Sequence, residues 1–339
     1  NCSHNGDKLY AAVHAFAKSW TENGKAKSGF LAYVEDGSKV SFPWSMIDKI
    51  TPRPDDSVNE LLKKDGVEDL DPVVTSMKTW VAPFVNAEES EYLVIEDSFP
   101  NGRPQLERVG VIFTEKETVD RVERMKVCTC LNPLHTALAV YGCVLGYQKI
   151  SDEMKDPGLI GLVKKIGYQE GLPVVTDQGV IKPQEFIDTV VNVRIPNVFM
   201  PDTPQRIATD TSQKLAIRFG ETVKAYSASD SLSVSDLKFI PLVYAGWLRY
   251  LMGIDDKGEA FEPSPDPLLD KAQGYVKGIC PGDTDKETIK SAVLPLLKDE
   301  TIFGVDLESV GLADLVVSYF AELNAGKGAV RATVDKYCK

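Results

Sequence analysis

The chain has 339 residues, 43% of them hydrophobic and 26% charged, a length that supports about two domains and a composition that excludes a collagenous, low-complexity or wholly disordered polymer. Fifty Asp and Glu outnumber 38 Lys and Arg, leaving a net charge of −12, so the summed field repels phosphate polymers and anionic lipid surfaces. Nucleic acid and membrane are thereby excluded as partners. Six cysteines with no paired C-x-x-C spacing define neither a disulfide framework nor a zinc site, and all six read as buried free thiols. No apolar run reaches the ~20 residues of a membrane span, and NCSHNGDK lacks the parts of a signal peptide; a cytoplasmic location follows. A start at Asn1 rather than Met points to a cut or processed product with sequence missing upstream.

Taken in chain order, Leu9, Ala12, Val13, Phe16 and Ala17 recur at helical spacing and predict a helix over 7–20, closed by NGK near Asn23. Residues 30–34 and 40–50 read as β segments around the turn EDGS, and TPRP at 51–54 ends regular structure. Residues 92–96 form a short apolar run before DSFPNGRP and read as β. Residues 118–126 read as a helix with Thr118 as cap and Asp120 in its first turn. From 132 onward, 133–149, 156–169, 183–193, 209–219, 235–252, 284–298 and 307–324 show helical spacing between Gly and Pro stops, which predicts an all-helical domain. RIPNVFMPDTPQR at 194–206 carries three prolines and reads as a loop. The chain has no G-x-G-x-x-G turn, no P-loop and no G-x-S-x-G.

The densest group of reactive residue types is ERMKVCTCLNPLHTALAVYG, with Glu123, Lys126, Asn132 and His135. Asn followed by Pro is a strong helix start, with Asn132 as cap and Pro133 at the first helical position. The preceding helix must then end before Asn132. In one unbroken helix Lys126 and Asn132 would stand about 240° apart and roughly 9 Å along the axis; a break lets them converge. By spacing alone, a capping Asn132, a satisfied His135 and a solvated Lys126 explain the same pattern.

That stretch resembles the signature of the polyol-specific long-chain dehydrogenases, the mannitol dehydrogenase and fructuronate reductase (D-mannonate oxidoreductase) family. Further ordered matches are NCSHNGDKL at the start, FPWSMIDKITP at 42–52, VIEDSFPNGRP at 94–104, LGYQKISDEMKDPGL at 145–159 and RIATDTSQKLAIR at 206–218. The resemblance implies that Lys126 is the general base for alcohol oxidation, that Asn132 and Asn1 bind the reacting oxygen, that His135 holds a neighbouring hydroxyl, and that Glu123 relays the proton to solvent. It places Asp48, Arg206 and Lys214 against substrate hydroxyls or the far end of the sugar, where either cation suits a carboxylate. Five residues, VCTCL, separate Lys126 from Asn132 where the family usually has four, and Pro133 and Leu134 stand where a Gly-led pair is common.

The implied fold class is mainly α: a helical substrate domain at 126–339, like the C-terminal domain of 6-phosphogluconate dehydrogenase, preceded at 1–125 by a small α/β tail of the cofactor domain. The implied activity is NAD(P)-dependent interconversion of D-mannonate and D-fructuronate without a metal, with mannitol and fructose as the alternative pair. The nucleotide would be held mainly by a Rossmann domain absent from this chain, so the chain alone is expected to be inactive and its cofactor-binding residues are not assignable. A non-enzymatic helical binding module is the rival reading.

Overall fold

An Asn-Gly pair fixes how the first helix meets the sheet. In the computed structural model, which describes residues 3–51, 54–200 and 202–339, Asn5 opens the helix Asn5–Glu22, and its side-chain amide donates to the Ser45 carbonyl at 2.7 Å and accepts from the Ser45 N–H at 3.0 Å. Gly6 lies so close to the neighbouring backbone that a Cβ would fall 2.1 Å from the Phe42 carbonyl oxygen, so only glycine fits. The helix stops at Asn23, and Gly24 takes the positive φ of the turn.

Among the described residues there are five strands: β1 (Ser45–Asp48), β2 (Val73–Val74), β3 (Trp80–Val81), β4 (Tyr92–Glu96) and β5 (Ile112–Thr114). One sheet has the order β1-β4-β5, with β1 antiparallel to β4, Ser45 facing Ile95 and Asp48 facing Tyr92, and β5 parallel to β4. Met46 and Val94 are fully buried beneath it. The predicted strand at 92–96 is β4. The β segment expected at 40–50 shrinks to β1, because Pro43 just before it can donate no ladder bond. The one expected at 30–34 is instead the helix Phe30–Glu35, begun after Gly29, whose carbonyl accepts the Tyr33 N–H at 3.0 Å. Short apolar runs fit either state, and here the local turn decides.

The chain divides into two compact units, and not by one cut near residue 125. The first comprises residues 1–51, 87–124 and 177–182; the second comprises 52–86, 125–176 and 183–339. The second is mainly helical, with the β2-β3 hairpin as an addition. Its core is built on two helices. In Asn132–Leu145 the run from Thr136 to Val144 is buried throughout, and in Phe239–Leu251 every residue after Phe239 is buried. They meet at Gly246, where a Cβ would lie 2.7 Å from the Tyr141 ring, and the Tyr141 hydroxyl donates to the Leu242 carbonyl at 2.7 Å. Glu170 reaches from another segment to accept the N–H groups of Lys238, Phe239 and Ile240, satisfying donors that a helix start leaves orphaned. Gly142 makes room for Glu153: a Cβ there would sit 2.1 Å from Glu153 Oε1 and 3.0 Å from Pro204. Glu153 is fully buried, neither carboxylate oxygen has a partner among the described residues, and burial pushes its acid well above the usual range.

Three further expectations need correction. The helix expected at 209–219 is a 3-10 turn at Thr211–Gln213 followed by a π-helical turn at Ala216–Gly220, because Asp210 sits in the left-handed region and stops any continuous helix. The loop expected at 194–206 ends early: Pro204 begins the helix Pro204–Ala208, capped by Thr203. Thr118 does not cap, since its helix begins at Lys116. The stretch 116–145 is long and apolar enough by composition to cross a membrane, contrary to the reading of the sequence, but 83% of its apolar window is buried, as in a core helix. Cys128, Cys130, Cys143 and Cys338 are buried free thiols, Cys280 is exposed, and Cys2 lies outside the described residues.

Candidate active site

The helix Lys116–Arg124 is followed directly by the π-helical turn Met125–Cys130. Here the Leu131 N–H reaches five residues back to the Lys126 carbonyl at 3.2 Å. A π turn holds one residue more than an α turn, which is how five residues rather than four fit between Lys126 and Asn132. Leu131 then departs from helical angles (φ −128°, ψ −65°), and the helix Asn132–Leu145 begins. The expected break is therefore present, one residue earlier than the cap reading put it. Leu131 is the flanking residue, Asn132 the first helical one, and Pro133 the second. Asn132 is not spent on capping. Its amide is half-buried, and no described residue hydrogen-bonds to it.

His135 lies in the first turn, its N–H bonded to the Leu131 carbonyl at 3.2 Å. Burial pulls its pKa down to about 4; Asp202 opposes that shift, while Arg218, Arg194 and Arg206 add to it. The imidazole is therefore neutral at physiological pH. One ring nitrogen can accept a hydrogen bond and the other can donate, which suits a sugar hydroxyl.

Sequence reasoning singled out two of the surrounding cations. Arg206 lies in Pro204–Ala208, and its guanidinium forms a two-bond pair with Asp202, Nε to Oδ1 at 2.6 Å and Nη2 to Oδ2. Lys214 follows the 3-10 turn; its Nζ donates to the carbonyls of Ile207, at 3.1 Å, and Thr209. Burial and the Arg218 charge lower its pKa. The two do not share a continuous helix, yet the Arg206 charge adds to the lowering at Lys214. Reasoning from sequence missed Arg218 and Arg194. Arg218 sits on the π turn, and its Nη1 donates to Thr136 Oγ1 at 2.5 Å; Arg194 is buried at 5% exposure over the Phe186 ring. The signal for Arg218 was its place one turn after Lys214 in QKLAIR.

Of the remaining candidates, Glu123 is buried at 4% exposure in the last turn of its helix and accepts from Ser3 Oγ at 3.1 Å, so it is no solvated helix-face carboxylate. Asp48 is buried at the last position of β1. Asn1 lies outside the described residues. Among the described residues no three His, Cys, Asp or Glu side chains converge as a metal centre.

The helical unit that carries these residues falls in a known class. Residues 118–323 match the mannitol dehydrogenase C-terminal domain, and the chain belongs to the mannitol dehydrogenase family. It is 52% identical to the D-mannonate oxidoreductase of Thermotoga maritima over 99% of this chain and 62% of that protein. It is 27% identical, with a TM-score of 0.69, to Pseudomonas fluorescens mannitol 2-dehydrogenase solved as a ternary complex with NAD and D-mannitol, covering 99% of this chain and 60% of that one. A D-sorbitol dehydrogenase solved substrate-free is 25% identical, with a TM-score of 0.75 over 98% of this chain and 61% of that one. The chain thus spans about three fifths of the length of these relatives.

Proposed function

We propose that this chain is the substrate-binding part of an NAD(P)-dependent oxidoreductase that interconverts D-mannonate and D-fructuronate. The observation that carries the reading is the 52% identity to a D-mannonate oxidoreductase over 99% of the chain; the cations around His135 support an acidic substrate over the mannitol and fructose pair. In functional terms the helical part at 126–339 serves as the substrate domain, of the 6-phosphogluconate dehydrogenase type, and the α/β part at 1–125 as the tail of the cofactor domain, with 52–86 packed into the helical unit. NAD, when bound, accepts the hydride, and no metal takes part. The sequence contains no Gly-rich turn motif that would cradle a pyrophosphate, so no residue is assigned to the nucleotide.

The chain's own residues bind the sugar and manage the proton. As the carbinol carbon gives up its hydrogen as hydride, the hydroxyl proton passes to Lys126 Nζ and the C–O bond becomes a carbonyl. The amides of Asn132 and Asn1 donate to the oxygen while it carries negative charge, where prepositioned donors stabilise the transition state most. His135 orients an adjacent hydroxyl, Asp48 and Lys214 hold others, Arg206 lies toward the far end of the chain, and Glu123 carries the proton onward from Lys126.

The test is oxidation by the intact protein of a panel of hexonates and hexitols, with reduction of hexuronates and fructose, on wild type and Lys126→Ala. D-mannonate and D-fructuronate should lead the panel, and Lys126→Ala should lower kcat by about 10² to 10⁴ with a much smaller change in substrate binding. Preference for D-mannitol would overturn the substrate, and near-normal kcat in the variant would overturn the base.

A further inference from the structure

Arg206 and Arg218, which act on His135, and Lys214, which feels both, differ in what neutralises them. Arg206 has the Asp202 carboxylate along its Nε and Nη2 edge. Lys214 has two backbone carbonyls. Arg218 has a neutral hydroxyl only: Nη1 donates to Thr136 Oγ1, and among the described residues neither Nε nor Nη2 has an acceptor and no carboxylate pairs with it. Thr136 spends its single proton on the Asn132 carbonyl at 3.0 Å, so its oxygen is left to accept from Arg218. That short relay ties the guanidinium to the turn that carries Asn132 and His135.

A guanidinium taken partly out of water without a counter-ion is costly, and burial already pulls its pKa down to about 10, leaving it charged at neutral pH. What it lacks is a planar anion along its unclaimed edge, and a carboxylate matches that fork with two parallel N–H donors. A neutral primary alcohol would leave the charge uncompensated.

We infer that Arg218 is the specificity-determining residue of this site, receiving the carboxylate of an acidic sugar on Nε and Nη2 while Thr136 holds Nη1. The inference rests on the function proposed above and moves the anion-binding role to Arg218, since Arg206 has its Nε and Nη2 fork on Asp202 and Lys214 gives two of its three donors to backbone carbonyls.

The experiment compares D-mannonate with D-mannitol as substrates of the intact enzyme and its Arg218→Met and Arg218→Lys variants, with thermal melting as a check on folding. In Arg218→Met the KM for D-mannonate should rise by about 10² while kcat changes a few-fold and the kinetics on D-mannitol hold or improve. In Arg218→Lys, which keeps the charge and loses the fork, KM for D-mannonate should still rise about tenfold. Equal losses on both substrates would show a structural role and overturn the assignment. If Arg218→Met does not fold, Arg218→Lys decides, and an unchanged KM for D-mannonate there overturns the assignment alone. A wild type active on D-mannitol and inert toward D-mannonate would instead sink the underlying function, and Arg218 with it.

Discussion

Between about pH 6.5 and pH 4 an unfolded chain protonates His135 while the folded one does not, because burial and three arginines hold the imidazole neutral. The unfolded state then binds more protons, so the folded state loses stability as pH falls through that window and regains it as pH rises. Glu170, whose carboxyl is pushed up to about 7 by burial, acts with the opposite sign: the folded state keeps its proton longer and loses stability as pH rises from about 4.5 to 7. Comparing wild type with His135→Gln cancels the Glu170 effect, which both share. The stability of wild type relative to the variant should drop by on the order of 2 kcal/mol from pH 7 to pH 4 in urea titrations, and a constant difference would mean that the histidine is not held neutral. At this scale the sequence disclosed residue types better than their duties. Lys126, Asn132 and His135 stood out because three reactive types cluster beside an Asn-Pro helix start. Arg218 did not, because what distinguishes it is the missing counter-ion, a property of the packed structure that no spacing encodes.

The helices that place the site were legible wherever apolar residues kept a period of 3.6 between clear stops, as in Asn132–Leu145 and Phe239–Leu251. Where residues hydrogen-bond five positions back or enter the left-handed region, as at 125–130 and 210, the pattern still looked helical and the boundaries were misplaced. The contact of Gly246 with Tyr141 was invisible for another reason: a glycine inside a helical pattern does not announce what presses on it. With the ring atoms 2.7–2.9 Å from the missing Cβ, Gly246→Ala should force the two core helices apart and cost about 1–3 kcal/mol despite alanine's better helix propensity. Urea midpoints would measure this, and a neutral or stabilising result would show that Tyr141 can swing aside.

Across the whole molecule, burial is concentrated in the second unit. In the first, the helix Asn5–Glu22 leaves Leu9, Phe16 and Trp20 about half exposed, and Tyr33 on the following helix likewise. Local opening is cheapest where few apolar contacts hold an element down. Amide hydrogen exchange should therefore be faster across 5–22 than across 136–144 and 240–251, under conditions where opening limits exchange. Equal protection would mean that the exposed aromatics are covered in solution.

In evolutionary terms, Gly142 is not free to change before Glu153 does. While a glutamate stands at 153, a Cβ at 142 collides with its carboxylate and presses on Pro204; shortening 153 first opens the space. Homologues with alanine at the position of Gly142 should therefore carry a smaller residue at that of Glu153, and the order of the two substitutions along a lineage should not be reversible.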